Sequence, residues 1–277
     1  EAHVVKLLPD TPDLDTVRDQ LAQSERPLIL AGNGVRVGGA EAALETFVEA
    51  TGIPVVTSPA GKGVFDDEHP LSRGVYGAYG NPTANHTITR ADTIMALGTK
   101  LSASDTCGAD PELIAPERQR IIQVDIEPRN LSWTMPVDMP ILGDIRSVLG
   151  SLNQDWQAEP RQDWSAEGNV PRMAPLPVSS IDASSIYPHE IIATMQEVLP
   201  PNTIYTCDAG ENRIFMLHCL RTKGAGRFIQ PAGAGPMGYA VPSALARKLL
   251  TPEATVVAFS GDGGFSMTMN GLLTAVE

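Results

Sequence analysis

Read for the order of apolar and polar positions, the chain breaks into short continuous apolar runs separated by segments with helical spacing. PLILA, Pro27 to Ala31, is one such run. It stops at Gly32-Asn33-Gly34, and Ala40 to Ala50 then places apolar residues three and four apart, so a strand, a glycine turn and a helix are predicted. The series continues with a strand at Pro54 to Thr57, an irregular stretch through Gly80 and a helix at Pro82 to Arg90. Strands at Thr93 to Leu97 and Arg120 to Ile126 and a helix at Asp144 to Leu152 follow. Strands that are apolar throughout, alternating with helices, predict a parallel sheet covered on both faces.

From Asn153 to Ser180 the period lapses into polar, proline-rich sequence of the kind that joins domains. A second α/β pattern then runs through a helix at Pro188 to Val198, a strand at Thr203 to Cys207 and a helix at Asn212 to Leu220. After a glycine-rich turn come a helix at Tyr239 to Leu250, a strand at Thr255 to Phe259 and a final helix. The fold class expected is therefore α/β with two doubly wound parallel-sheet domains, at 1–155 and 185–277, joined by a linker at 156–184. The second shows only three or so strands and reads as truncated, so a fragment of a longer protein is expected. An uncovered sheet edge tends to find a partner, which makes a homo-oligomer the expected state.

Composition narrows the function classes. The 277 residues are 42% hydrophobic and 19% charged, as in soluble globular proteins, and no apolar run is long enough to span a bilayer. A formal net charge of -13 opposes nucleic acid as the main partner, because most of the surface would repel its phosphates. Cys107, Cys207 and Cys219 stand at unrelated spacings without a C-x-x-C pair, so packed thiols in a reducing, cytoplasmic setting are expected.

The chemistry concentrates near the carboxyl ends of the predicted strands. The strand at Thr255 to Phe259 delivers Ser260-Gly261-Asp262-Gly263-Gly264 to the rim where open α/β sheets bind ligands. Glycines let the main chain approach a phosphate, and Asp262 offers a hard oxygen ligand suited to Mg²⁺. The competing reading of the tripeptide alone is a plain turn in which Asp262 caps a helix. None of the five histidines is assigned a role, since an isolated helical histidine is more often packed or solvated than catalytic.

Three segments in order carry a family resemblance. Asp208-Ala209-Gly210-Glu211-Asn212, the turn from Gly233 through Met237 to Ala244, and the Gly-Asp-Gly segment are similar to the cofactor-binding loops of thiamine diphosphate-dependent enzymes. The first domain resembles the central domain of acetolactate synthase, pyruvate oxidase and related enzymes. There Thr57 to Gly80, Leu97 to Lys100, Val124 to Pro128 and Gly143-Asp144 follow the family's sequence of motifs.

The resemblance implies that Asp262 binds Mg²⁺ bridging the cofactor diphosphate, with Gly261, Gly263 and Gly264 in close backbone contact. It assigns the carbonyl of Gly235 to the aminopyrimidine, Met237 to the wedge that bends the cofactor, Gly210, Glu211 and Asn212 to the diphosphate or substrate mouth, and Met267 to the cavity. In the first domain it implies FAD held by Gly32, Asn33, Gly34, Gly98, Thr99, Asp125, Ile126, Glu127, Asn130, Gly143 and Asp144. A flavin-free scaffold is the alternative, and Lys100 departs from the arginine common in flavin-binding members. The activity implied is decarboxylation of a 2-oxo acid such as pyruvate and transfer of the resulting carbanion to an acceptor, as in acetolactate synthase. Pyruvate oxidase or a simple decarboxylase is the alternative. The ring-activating glutamate belongs, in the family, to a separate N-terminal pyrimidine-binding domain, so that domain is an expected partner and the chain alone is expected to be inactive. Outside enzymes, a nucleotide-binding regulatory module or a purely structural partner stays open.

Overall fold

The computed structural model describes residues 7–166 and 186–276. These form two units, the first holding residues up to 166 except Asp66–Glu68, which group with the second. Both are α/β units built on parallel sheets.

The first unit opens with α1 (Thr11–Gln23), β1 (Pro27–Ala31), α2 (Asn33–Val37), α3 (Glu41–Thr51), β2 (Val55–Thr57) and β3 (Ser72–Val75). It continues with α4 (Pro82–Arg90), β4 (Thr93–Leu97), β5 (Arg120–Asp125), β6 (Met139–Leu142) and α5 (Ile145–Gln154). Its six strands lie in the order β3-β2-β1-β4-β5-β6, all parallel, so the strand order reverses between β1 and β4. A doubly wound sheet presents its ligand crevice at such a reversal, outside the carboxyl ends of the strands.

The apolar runs work because the pleat sends alternate residues to opposite faces. Leu28 and Leu30 of β1 join Ile94 and Ala96 of β4 in one core, under α4. Ile29, Ala31, Met95 and Leu97 join the other, against α1, α3 and α5. Each strand therefore feeds two cores, and no position can be polar without cost. Helix starts are set locally: the Asn81 side chain accepts from Ala84 N–H ahead of α4, and Asp144 accepts from Ser147 N–H at 2.8 Å ahead of α5.

Five elements of the described structure lie outside the predicted pattern: α1, the short α2 in place of the glycine turn, β3, β6 and β8. The strands β3 and β6 are the two edges of the first sheet. An edge tolerates Arg73 and Gly74 in β3 and Pro140 in β6, residues that a central strand would reject. The polar stretch after residue 155 also begins as part of the first unit. The Trp164 indole donates to the Pro27 carbonyl at 2.9 Å, Arg161 donates to the carbonyls of Leu21, Ala22 and Ser24 at the end of α1, and Arg73 pairs with Asp163. Most of the expected linker, 167–184, lies outside the described residues.

The second unit holds α6 (Pro188–Val198), β7 (Ile204–Cys207), α7 (Glu211–Cys219), β8 (Phe228–Ile229) and α8 (Ala240–Leu250). Then come β9 (Val256–Phe259), α9 (Asp262–Thr268) and α10 (Gly271–Val276). Its described strands are parallel in the order β8-β7-β9. β7 is fully buried, whereas β9, although its sequence VVAF is wholly apolar, is only partly covered. Among the described residues no helix is long and apolar enough to cross a membrane.

Candidate functional site

In the second unit the three quoted segments converge on the carboxyl rim of the sheet. β7 ends at Cys207 and leads into Asp208; β9 ends at Phe259 and leads into Ser260 and Gly261. Register pairs Cys207 with Phe259, so the two exits lie level.

Asp208 is the tie at the centre of this rim. Its side chain is buried, and one carboxylate oxygen accepts from the N–H groups of Tyr239 and Ala240, both at 2.6 Å, where α8 begins. The other oxygen accepts from the Ser260 hydroxyl. A buried carboxylate satisfied by three donors is locked in place and holds the three loops together. Gly264 completes the fit: a methyl group there would overlap Asp208 Oδ2 and stand 2.9 Å from Ser260 Oγ. The resemblance assigned no role to either Asp208 or Ser260. Nothing local in the sequence signals partners 31 and 32 residues downstream.

Asp262 stands in contrast. It is the first residue of α9, its carboxylate is exposed, and among the described residues it receives no side-chain hydrogen bond or ion pair. The Gly261 N-cap makes no side-chain cap either, so the plain-turn reading, with Asp262 as the cap, does not describe this turn. Among the described residues no group of three or more His, Cys, Asp or Glu side chains could hold a metal ion. Asp262 is thus an exposed carboxylate with no side-chain partner among the described residues.

The glycines around it are spaced for close approach. A methyl group on Gly263 would lie 2.8 Å from Met237 Cε, so the tip of Met237 rests on the backbone beside Asp262. Gly238 sits at φ +76°, with Thr268 and Met267 against it. Met237 and Met267 are 46% and 63% exposed, so neither is packed into the core of the described residues. Gly235 turns the chain at φ +65° beside the Arg213 guanidinium. Gly210 precedes α7 at φ +129°, and Asn212 spans the rim, its Nδ2 donating to the Asp208 and Phe259 carbonyls at 3.3 and 3.4 Å. Glu211 is exposed. The residues singled out in this unit therefore share one rim. Beneath them Cys207 is inert: burial, with the neighbouring Asp208 charge, pushes its thiol up to about 12.

In the first unit the predicted residues also gather at one carboxyl rim, but most are engaged by the protein itself. Gly32 N–H donates to the Leu97 carbonyl at 2.8 Å and Gly34 N–H to the Gly98 carbonyl at 2.9 Å. A methyl on Gly34 would stand 2.5 Å from Gly98 Cα. These glycines splice the β1 and β4 exits together, with Gly98 at φ +58°. Asn33 accepts from Arg36, Thr99 accepts from Leu101 N–H, and Asp144 caps α5 beside Gly143.

Space remains on the β5 side. Asp125 is buried; one of its oxygens accepts from Glu127 N–H at 2.9 Å and Asn130 Nδ2 at 3.2 Å. Ile126 beside it is exposed. An open cavity of about 410 Å³ is lined by Lys100, Glu127, Arg129, Asn130 and Trp133. Glu127 and Arg129 form a two-bond pair at 2.8 and 2.9 Å, and these bonds lower the Glu127 carboxyl to about 2.

Comparison with known proteins covers both units. Residues 14–152 match the family model described as "Thiamine pyrophosphate enzyme, central domain", and residues 208–277 match "Thiamine pyrophosphate enzyme, C-terminal TPP binding domain". The chain is 35% identical over 266 residues to a probable acetolactate synthase large subunit of Methanocaldococcus jannaschii, covering 93% of this chain and 44% of that protein. A probable acetolactate synthase large subunit of Methanococcus aeolicus is 32% identical over 274 residues, covering 93% and 45%. An acetolactate synthase of Mycobacterium leprae is 30% identical over 265 residues, covering 93% and 42%. The chain thus spans a little under half the length of the curated relatives it matches.

Proposed function

This chain belongs to the thiamine pyrophosphate enzyme family, and from that premise we propose that it serves an acetolactate-synthase-like reaction: decarboxylation of a 2-oxo acid such as pyruvate and transfer of the remaining unit to an acceptor. It does so in company with a pyrimidine-binding domain. Thiamine diphosphate, when bound, supplies the electron sink, and the protein supplies binding, orientation and electrostatics.

The observation that carries this reading is the division of labour between two carboxylates at one rim. Asp208 is fully committed to holding the loops, while Asp262, a glycine-flanked carboxylate exposed to solvent, is left for a ligand. Asp262 would hold Mg²⁺ against the diphosphate, with Gly261 and Gly263 allowing the main chain near it. Met237, seated on Gly263, would support the cofactor from below, and the Gly235 carbonyl would receive the aminopyrimidine. Calorimetric titration with thiamine diphosphate is expected to show saturable, Mg²⁺-dependent binding. Asp262→Ala is expected to weaken it by about tenfold or more, ~1.4 kcal/mol. Equal affinity in wild type and variant overturns the assignment.

For the first unit we propose a nucleotide at the β5 side of the rim, FAD being the form the resemblance implies. The support is the Asp125 carboxylate, whose second oxygen accepts no bond among the described residues and suits a ribose hydroxyl, beside a cavity carrying Lys100 and Trp133. The spent N–H groups of Gly32 and Gly34 limit the turn's share in phosphate binding. Visible flavin absorbance in the purified protein, or saturable binding of FAD or ADP, is the expected result; neither signal means a scaffold domain.

A further inference from the structure

Among the described residues one cation at the second rim has no side-chain hydrogen bond or ion pair. Arg213 lies in the first turn of α7, two residues after Glu211, where a positive charge is not favoured by the helix dipole. Among the described residues its guanidinium forms no ion pair or hydrogen bond, and its Nε is buried without an acceptor. A half-buried guanidinium with no partner among the described residues is open to an anion from outside them.

The direction it faces identifies which anion. Successive helical residues turn by about 100°. Asn212 reaches toward the β9 exit, where its Nδ2 meets the Phe259 carbonyl, on the same side as Gly261 and Asp262. Arg213, one residue on, faces away from that metal side and lies against Gly235, whose added methyl would stand 3.5 Å from Arg213 Nη1. The Gly261 side of the rim and the Arg213 guanidinium are therefore on different sides of the α7 start.

We propose that Arg213 is the docking cation for the carboxylate of the incoming 2-oxo acid. The inference rests on the functional reading above and adds a positioning residue that sets preference for substrates bearing a carboxylate. A planar guanidinium receives a carboxylate through two parallel bonds, which fixes orientation as well as affinity. The fold leaves room for this role because the nearby carboxylate, Asp208, is already taken by three donors.

The test compares wild type, Arg213→Gln and Arg213→Lys in the full enzyme, with its pyrimidine-binding domain, thiamine diphosphate and Mg²⁺. Arg213→Gln is expected to raise the KM for pyruvate about 30-fold, with Arg213→Lys recovering part of the loss. Cofactor affinity by calorimetry is expected to stay within about twofold. Competitive inhibition by methyl pyruvate, which lacks the charge, is expected to be unchanged. An unaltered KM in Arg213→Gln, or equal weakening of pyruvate and its methyl ester, overturns the proposal. So does a parallel loss of cofactor affinity in both variants, which would place the guanidinium in diphosphate binding or in the fold. A wild type that binds no thiamine diphosphate defeats the functional reading itself, an outcome distinct from these.

Discussion

The two carboxyl rims of this chain use glycine and aspartate in opposite ways. At the first rim Gly32, Gly34 and Gly98 let two strand exits press backbone to backbone, and their N–H groups are consumed within the chain. At the second, Gly263 leaves a thin floor under a methionine tip, and one aspartate stays unengaged beside it. A glycine-rich turn after a strand is thus not in itself a ligand cradle. What distinguishes the two is whether the space above the glycine belongs to the protein.

That contrast can be broken most sharply at the paired aspartates. Asp208→Ala strands two buried N–H donors and a hydroxyl, and is expected to cost roughly 3 kcal/mol or more in the second unit, read by hydrogen exchange of β7 and α8. Asp262→Ala, removing an exposed carboxylate with no partner among the described residues, is expected to change stability by less than about 0.5 kcal/mol while weakening the cofactor. Comparable destabilisation by both changes would erase the distinction between tie and ligand.

Gly34→Ala comes next in size. Its methyl meets Gly98 backbone that cannot swing aside, so the first unit is expected to lose roughly 1–3 kcal/mol in chemical denaturation, with thiamine diphosphate binding intact. A neutral result would mean the splice is looser than its geometry.

The smallest effect is at the cavity by β5. Arg129 lowers the Glu127 carboxyl from 4.5 to about 2, so the pair's contribution is complete above the ordinary carboxylate range and disappears as pH falls toward about 2. The pair is solvent-exposed, so little stability is expected from it. An NMR titration of Glu127 is expected to show the low midpoint, and Arg129→Ala to return it to the ordinary range.

Central elements were legible in the sequence because burial on both faces keeps PLILA and TIMAL nearly all apolar, and in RIIQVD leaves Gln123 and Asp125 inside only because each is hydrogen-bonded. Edge strands were not, since one side of β3 and β6 is unpaired and Arg73 or Pro140 does no harm there. Helix α1 was readable in principle from Leu14, Val17 and Leu21, whose spacing buries one stripe. At the candidate site the glycine-rich positions carried local signatures, Gly-Asp-Gly above all. Asp208 and Ser260 did not, because their meaning lies in partners brought together only by the sheet.

The docking of Trp164 against Pro27, with Trp156 edge-on to Phe47 and Trp133 beside the cavity, places all three tryptophans of the chain in the first unit. Indole emission is therefore a built-in gauge of that unit alone. Followed beside circular dichroism, which reports both, it tells which half of the molecule melts first, without any label being attached.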